Sequence, residues 1–289
     1  MIPPPFDYFA PTDIQEAMDL LNKYGDEAKI LAGGQSLVPL LKSRITTIPY
    51  LISLSEIRGL SYIDERKGAL HIGAMTLDCD IELSGVIKKR FPVLADAAGQ
   101  LADPLVRNMG TIGGNISHAD PSNDLPAVMI AIGATMIAKG RNGSREIDAG
   151  DFFVDTFTTA LDHGEILTEI RLPFWGNNSG GSYVKFRKGT WNFSVAAVAV
   201  QLELDGKKVI KSGIGTTSVG PRTLKMEKAE KFIIGKELTE DTVKKAAEMV
   251  AKDARPASDS YGSEEYKREI LRRITADAIK NAHKRARGE

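Results

Sequence analysis

Ala32-Gly33-Gly34-Gln35-Ser36-Leu37 and Thr111-Ile112-Gly113-Gly114-Asn115 each set a Gly-Gly pair beside short polar side chains at the edge of apolar chain. Paired glycines remove Cβ atoms where a ligand approaches the backbone, and they permit the positive φ that turns successive N–H groups toward an anion. Ser36, Thr111 and Asn115 add hydroxyl and amide groups suited to phosphate and sugar hydroxyls. A single Gly-Gly pair more often marks a plain turn. Two of them with such neighbours read as the halves of one phosphate cradle, and the pair by itself leaves the nucleotide open.

The rest of the chain narrows the chemistry by exclusion. No G-x-x-x-x-G-K-[ST] occurs, which argues against a P-loop nucleotidase. The nearest approach to a dinucleotide fingerprint, Gly213-Ile214-Gly215-Thr216-Thr217-Ser218, has serine in place of the third glycine and no helix pattern opening directly after it. With 38 basic and 38 acidic residues in 289 the formal net charge is zero, and no basic block offers a nucleic-acid surface. No apolar run reaches the roughly 18 residues of a membrane span, and Met1-Ile2-Pro3-Pro4-Pro5 lacks signal-peptide features, so a cytoplasmic location is expected. Cys79 is the single cysteine, which excludes an internal disulfide and a four-cysteine cluster held within this chain. The histidines His71, His118, His163 and His283 have no metal-site spacing and read as ordinary surface or core residues. Ser36 and Ser117 lack a nucleophile-elbow setting. Asp120, Asp124 and Glu165 read as loop or capping carboxylates in the absence of other information.

Periodicity predicts a mixed helix and sheet protein. Thr12 and Gln15 suggest a capping box for a helix over 13–23, and Lys29 to Ala32 reads as a strand feeding the first Gly-Gly turn, followed by a short helix from Leu37 to Leu41. Strands are expected at Leu51–Leu54, Ala69–Gly73 and Thr135–Ala138, with helices at about 78–88, 92–102 and 124–131. Gly176 to Gly181 reads as a linker. Beyond it come three strand candidates, Ser182–Arg187, Ser194–Leu204 and Lys208–Gly215, the last two joined by the hairpin signal Asp205-Gly206. Helices are expected at Leu224–Phe232, at Val243–Ala251 after a cap at Thr239, and at Glu264–Lys284.

Several segments in order resemble the FAD-binding medium subunit of the molybdenum hydroxylases, the family of carbon monoxide dehydrogenase, aldehyde and glyceraldehyde dehydrogenases and the flavin domain of xanthine dehydrogenase. They are Pro4-Pro5-Phe6-Asp7-Tyr8, the AGGQSL loop with Leu41-Lys42 behind it, and Arg107-Asn108-Met109-Gly110-Thr111-Ile112-Gly113-Gly114-Asn115. The series continues with Ala119-Asp120-Pro121-Ser122-Asn123-Asp124-Leu125, Gly164-Glu165-Ile166-Leu167-Thr168-Glu169-Ile170 and Lys185-Phe186-Arg187. The resemblance implies an α+β fold: an FAD-binding domain of the vanillyl-alcohol-oxidase type made of two α/β subdomains (1–53 and 54–176), then a C-terminal flavoprotein domain (177–289) with a three-stranded antiparallel sheet and helices. It implies non-covalent FAD held by Ala32, Gly33, Gly34, Gln35, Ser36 and Leu37 on one side and Thr111, Ile112, Gly113, Gly114 and Asn115 on the other. Asp124, Leu167 and Lys185 would lie near the cofactor: Asp124 accepting from sugar-like hydroxyls, Leu167 as an apolar wall, and Lys185 as a cation favouring negative charge added to the ring. Gln35 stands where several relatives carry histidine. Trp191-Asn192-Phe193 supplies aromatics without the carboxylate that some relatives have there, so that stacking on the flavin and core packing are both open to Trp191 and Phe193.

The resemblance further implies a large molybdenum-cofactor subunit and a small subunit with two-iron clusters as partners, in a dimer of heterotrimers, with this chain as the flavin section of an electron wire. Two other readings are a free-standing flavin reductase or oxidase of the same fold, similar to UDP-N-acetylenolpyruvoylglucosamine reductase, and a non-catalytic nucleotide-binding subunit. No residue pattern names the substrate or the final electron acceptor.

Overall fold

The computed structural model describes residues 2–190 and 192–289. The chain opens with β1 (Asp7–Phe9), α1 (Ile14–Tyr24), β2 (Ala28–Leu31), α2 (Leu37–Lys42) and β3 (Tyr50–Ser53). These strands form a parallel sheet in the order β1-β3-β2. The cap of α1 sits one residue later than the expected box: the Asp13 carboxylate accepts from Glu16 N, and Glu16 answers by accepting from Thr12 N. Ala17, Met18, Ala28 and Ile52 close a small core that Ile166, far along the chain, completes.

Next come β4 (Ile63–Arg66), β5 (Ala69–Gly73), α3 (Asp78–Leu83), α4 (Gly85–Arg90), α5 (Pro92–Ala98), α6 (Pro104–Arg107), α7 (Ile112–His118) and α8 (Leu125–Ile132). They are followed by β6 (Thr135–Gly140), β7 (Gly143–Asp148), α9 (Ala149–Phe152), β8 (Phe153–Asp155), β9 (Thr158–Thr159) and β10 (Ile166–Pro173). The five-stranded sheet β4-β5-β10-β6-β7 is antiparallel throughout. The single helix expected at 78–88 is two helices, because Ser84 leaves helical geometry and its hydroxyl caps α4 at Ile87 N. The helix expected to 102 stops at Ala98, before Gly99.

The C-terminal part holds β11 (Ser179–Phe186), β12 (Ala196–Asp205), β13 (Lys208–Thr217), β14 (Leu224–Lys225), α10 (Glu227–Ile233), α11 (Glu240–Asp253) and α12 (Glu264–Ala286). The three expected strands pair as an antiparallel sheet, joined through Asp205-Gly206, and a two-residue fourth strand extends it. That strand occupies the start of the segment expected to be helical from Leu224. Thr239 caps α11 as expected, accepting from Thr242 N.

β12 shows why this sheet fixes the molecule. Its residues 196–202 are all buried, and successive side chains enter different cores. Ala197 and Ala199 join the core of the five-stranded sheet, whereas Ala196, Val198, Val200 and Leu202 join the core under α11 and α12. The sheet is thus packed on both faces, and glycines set the spacing. A Cβ on Gly213 or Gly215 would lie 2.8 or 2.9 Å from the carbonyl carbon of Ala131 or Ala127 in α8. A Cβ on Gly180 would lie 2.7 Å from the carbonyl carbon of Arg285 in α12. The imperfect dinucleotide fingerprint at 213–218 is therefore a seat for a helix backbone. The expected linker is strand from Ser179 onward, Gly180 admitting α12 and Gly181 admitting Val93 of α5.

Gly215→Val should destabilise the chain by on the order of 3 kcal/mol in urea unfolding, since α8, buried along its whole length, cannot retreat without opening the core it shares with the five-stranded sheet. Gly150→Ala, in α9 where a Cβ meets open space, should be neutral or stabilising by up to about 1 kcal/mol. Equal effects would contradict the packing argument.

Candidate functional site

β2 ends at Leu31 and the chain turns through Ala32–Ser36 into α2, with Gly34 at φ +72°. A side chain at Gly34 would be strained there, so the turn depends on glycine. Gly33 is needed for another reason: its Cβ would overlap the Met109 carbonyl oxygen and lie 2.8 Å from Gly110 Cα. The first segment therefore rests directly on the backbone that leads into the second. Ala32 also faces Gly114, whose Cβ would sit 3.4 Å from that of Ala32.

The two segments differ in what they offer a ligand. Among the described residues, the amides of Gly33, Gly34, Gln35 and Ser36 have no protein acceptor. The Gln35 side chain folds back to donate to Gly33 O at 3.1 Å, and Ser36, at the cap position of α2, makes no capping bond and is exposed. Four successive free N–H groups make an anion-binding concavity. Leu37 packs down against Leu41, Ile48 and Leu51.

The second segment is the first turn of α7 instead of an open loop. Thr111 is its N-cap, accepting from Gly114 N at 3.1 Å. Ile112 N donates to Thr76 O, Gly113 N to Ala74 O and Asn115 N to Thr111 O. All four amides are committed, which corrects the expectation of two matched sets of free N–H groups. Gly113 serves packing, because its Cβ would fall 2.6 Å from that of Ala74, and Ile112 is fully buried. What this segment can present is the Asn115 side chain, whose Oδ1 is buried without a partner. An acceptor left in that state calls for a donor from outside the chain.

Asn115 O accepts from Asn123 Nδ2 at 2.8 Å, which ties the cradle to the entrance of α8. There Asp124 is buried, and its carboxylate accepts from Tyr183 Oη and from Lys185 Nζ, the latter at 2.7 Å. Tyr183 and Lys185 are two apart on β11 and so share a face. Only 1% of the Lys185 side chain and 4% of the Asp124 side chain are exposed. Burial pushes the Asp124 carboxyl upward, against the opposing pull of Lys185, the Tyr183 hydrogen bond and the Arg187 charge. Burial and the adjacent carboxylate hold the Tyr183 phenol well above its ordinary range, so it remains a donor. The cation expected beside the cofactor thus has its own counter-ion, and Asp124 already has two donors from this chain.

Lys185 Nζ also reaches Gln100 O at 3.2 Å, and buried Arg107 donates to Leu101 O and to Glu82 Oε2, both at 2.8 Å. Two cations so clamp a loop in which Ala102 adopts φ +30°. Leu167 is buried in the main core at a bulge of β10, and the next residue, Thr168, accepts from Ala74 N behind Gly113. Phe193 is 53% exposed; Trp191 lies outside the described residues. Reasoning from sequence missed three residues here. Tyr183 was signalled by its i, i+2 spacing from Lys185. Asn123 and Asp78 carried no signal of their own. Asp78 is buried beneath Gly110, where an added Cβ would lie 3.5 Å from its Cγ, and its Oδ1 has no partner.

Free amides for an anion, an orphaned side-chain acceptor and a buried charge pair beyond them fit a nucleotide carrying a diphosphate. Residues 4–175 match the family described as "FAD binding domain in molybdopterin dehydrogenase" and residues 182–282 the one described as "CO dehydrogenase flavoprotein C-terminal domain". The carbon monoxide dehydrogenase medium chain of Hydrogenophaga pseudoflava is 38% identical over 282 residues, 98% of each chain. The glyceraldehyde dehydrogenase medium chain of Sulfolobus acidocaldarius is 36% identical over 280 residues, 97% of this chain and 99% of that one. The solved carbon monoxide dehydrogenase of H. pseudoflava that lacks the Mo-pyranopterin moiety superposes with a TM-score of 0.95 at 39% identity, over 98% of each chain. Among the described residues, no helix is long and apolar enough to cross a membrane. Matched over nearly its whole length in sequence and in fold, the chain belongs to the FAD-binding medium-subunit family of the molybdenum hydroxylases.

Proposed function

We propose that this chain is the electron-transfer subunit of a cytoplasmic molybdenum hydroxylase, taking electrons from the iron–sulfur clusters of a small subunit through FAD to an external acceptor. Substrate oxidation belongs to a large molybdenum-cofactor subunit, and the assembly is a dimer of heterotrimers. The observation that carries this reading is the row of four unengaged amides from Gly33 to Ser36. They are suited to a diphosphate, with Asn115 Oδ1 as an acceptor beside them. The single cysteine, Cys79, requires that any iron–sulfur cluster be held by another chain. Relatives of comparable similarity serve enzymes named for carbon monoxide and for glyceraldehyde, which supports a reading in which substrate choice lies outside this subunit.

In this reading the FAD-binding part spans 1–53 and 54–176 and the flavoprotein domain 177–289. FAD, when bound, supplies two-electron redox chemistry. The residues of the chain supply position and field: Ala32–Leu37 hold the diphosphate, Thr111–Asn115 close the other side, and Leu167 backs the site with apolar surface. Asp124, Lys185 and Tyr183 act as one unit whose charge is internally balanced. Lys185 therefore contributes to the local field as half of a pair.

Purification of the native assembly should yield molybdenum, iron and FAD together; a chain that reduces an acceptor alone, with flavin and no metal subunits, would exclude the proposal. Gly33→Val should abolish FAD uptake with far-UV circular dichroism retained, because a side chain there separates the two segments. Lys185→Met should lower the flavin midpoint potential by on the order of 30 mV, ~1.4 kcal/mol for a two-electron couple, by leaving Asp124 uncompensated. The double variant Lys185→Met/Asp124→Asn should return most of that shift, and a double variant as low as the single one would sink the paired-charge account.

A further inference from the structure

Asp78 is the titratable group that the site as described leaves unused. It opens α3, its amide donates to Gly110 O at 2.9 Å, and it is 3% exposed. Its carboxyl lies under Gly110, the residue on which Gly33 is seated, so it backs the seam between the two segments of the cradle. Oδ1 finds no donor. A buried carboxylate without donors is costly to ionise, whereas the neutral acid is not.

The surroundings sharpen this. From α6 the charge of Arg107 acts on Asp78, but its Nε and Nη1 are directed to Glu82 and to the Leu101 carbonyl, with no hydrogen bond to Asp78. From the start of α8 Asp124 adds a like charge. On α5 Asp96 is engaged by Arg285, and on α4 Arg90 pairs with Glu65, while Asp80 and Glu82 lie on the helix of Asp78 itself. Burial, and secondarily Asp124, push the Asp78 carboxyl up to about 7 against the pull of Arg107. Its ionisation therefore falls within the working range of most enzymes. A diphosphate laid on the other side of the seam brings further negative charge, which favours the neutral acid more strongly.

We propose that Asp78 holds its proton more firmly when the cradle holds the FAD diphosphate, so that near and above neutral pH cofactor binding draws proton from solvent onto this carboxyl. The inference rests on the FAD reading of the cradle and adds to it a residue that sets cofactor affinity as a function of pH. The sign follows from linkage: a carboxyl pushed further up on binding leaves affinity unchanged at pH well below its free value. Affinity then falls as pH rises through that value. At alkaline pH the ionised Asp78 opposes the ligand, and apo chain accumulates.

The test is calorimetric titration of the full-length apo chain with FAD, in two buffers of different ionisation enthalpy, from pH 6 to 8.5. The wild-type chain should take up about half a proton near pH 7.5, the most that a rise of one pKa unit from about 7 allows. Its dissociation constant should weaken roughly tenfold toward pH 8.5, the change that corresponds to a further rise of one pKa unit. Asp78→Asn should bind FAD without proton uptake and with a flat pH profile. Binding by the wild type without proton uptake, or uptake that persists in Asp78→Asn, overturns the proposal while leaving the cradle intact. Failure of FAD to bind at any pH overturns the cradle reading and the proposal with it. If Asp78→Asn does not fold, the wild-type proton count decides the matter alone.

Discussion

The seating of Gly33 on the backbone of Met109 and Gly110 is the contact on which the site depends. It joins a turn of the small parallel sheet to the entrance of α7 with no side chain between them. Backbone contact of this kind tolerates no substitution that adds a Cβ, and it transmits position rigidly because neither side has rotamers to absorb a shift. The contact braces the turn whose four amides, from Gly33 to Ser36, are left without a backbone acceptor.

The two glycine pairs, alike in sequence, divide the work. Gly33 and Gly34 shape an open concavity; Gly113 and Gly114 let a capped helix start close against Ala74 and Ala32. A symmetric grip would need both sets of amides, and only the first is available. The second segment contributes through the Asn115 side chain and through the link from Asn115 to Asn123 and Asp124. That link continues into the C-terminal sheet at Tyr183 and Lys185. Removing either charge of a buried pair is expected to cost ~3–5 kcal/mol, so the docking of β11 and the order of the site are coupled. The glycine contacts of β13 with α8 brace the same junction on the same face of the sheet, where Tyr183, Ala199 and Gly215 stand in register.

Much of this was legible in the residues, and the failures have identifiable causes. The continuous apolar run of β12, the Asp205-Gly206 hairpin and the Thr239 cap are local signals, and each appears where the pattern places it. Gly180 and Gly181 were read as linker because composition cannot register that α12, a hundred residues later, needs the missing side chain of Gly180, or that Val93 and Gln201 need that of Gly181. β14 depends on pairing with Gly215 and Thr216, and a two-residue strand has no period of its own. In the site, the glycine pairs and Lys185 stood out by type and order, whereas the engagement of the α7 amides depends on Ala74 and Thr76, which sequence reading places on a separate element. Asp78 looks like any other acid in Asp78-Cys79-Asp80-Ile81-Glu82 until Gly110 is laid over it.

Residue-resolved amide hydrogen exchange of the chain, with and without FAD, addresses the cradle most directly. The amides of Gly33, Gly34, Gln35 and Ser36 should exchange rapidly in the apo chain and become protected when FAD is added. Those of Ile112, Gly113, Gly114 and Asn115, already bonded within the chain, should be protected in both states. Unchanged exchange at Gly33–Ser36 in a chain that has bound FAD would contradict the assignment of these four groups to the diphosphate.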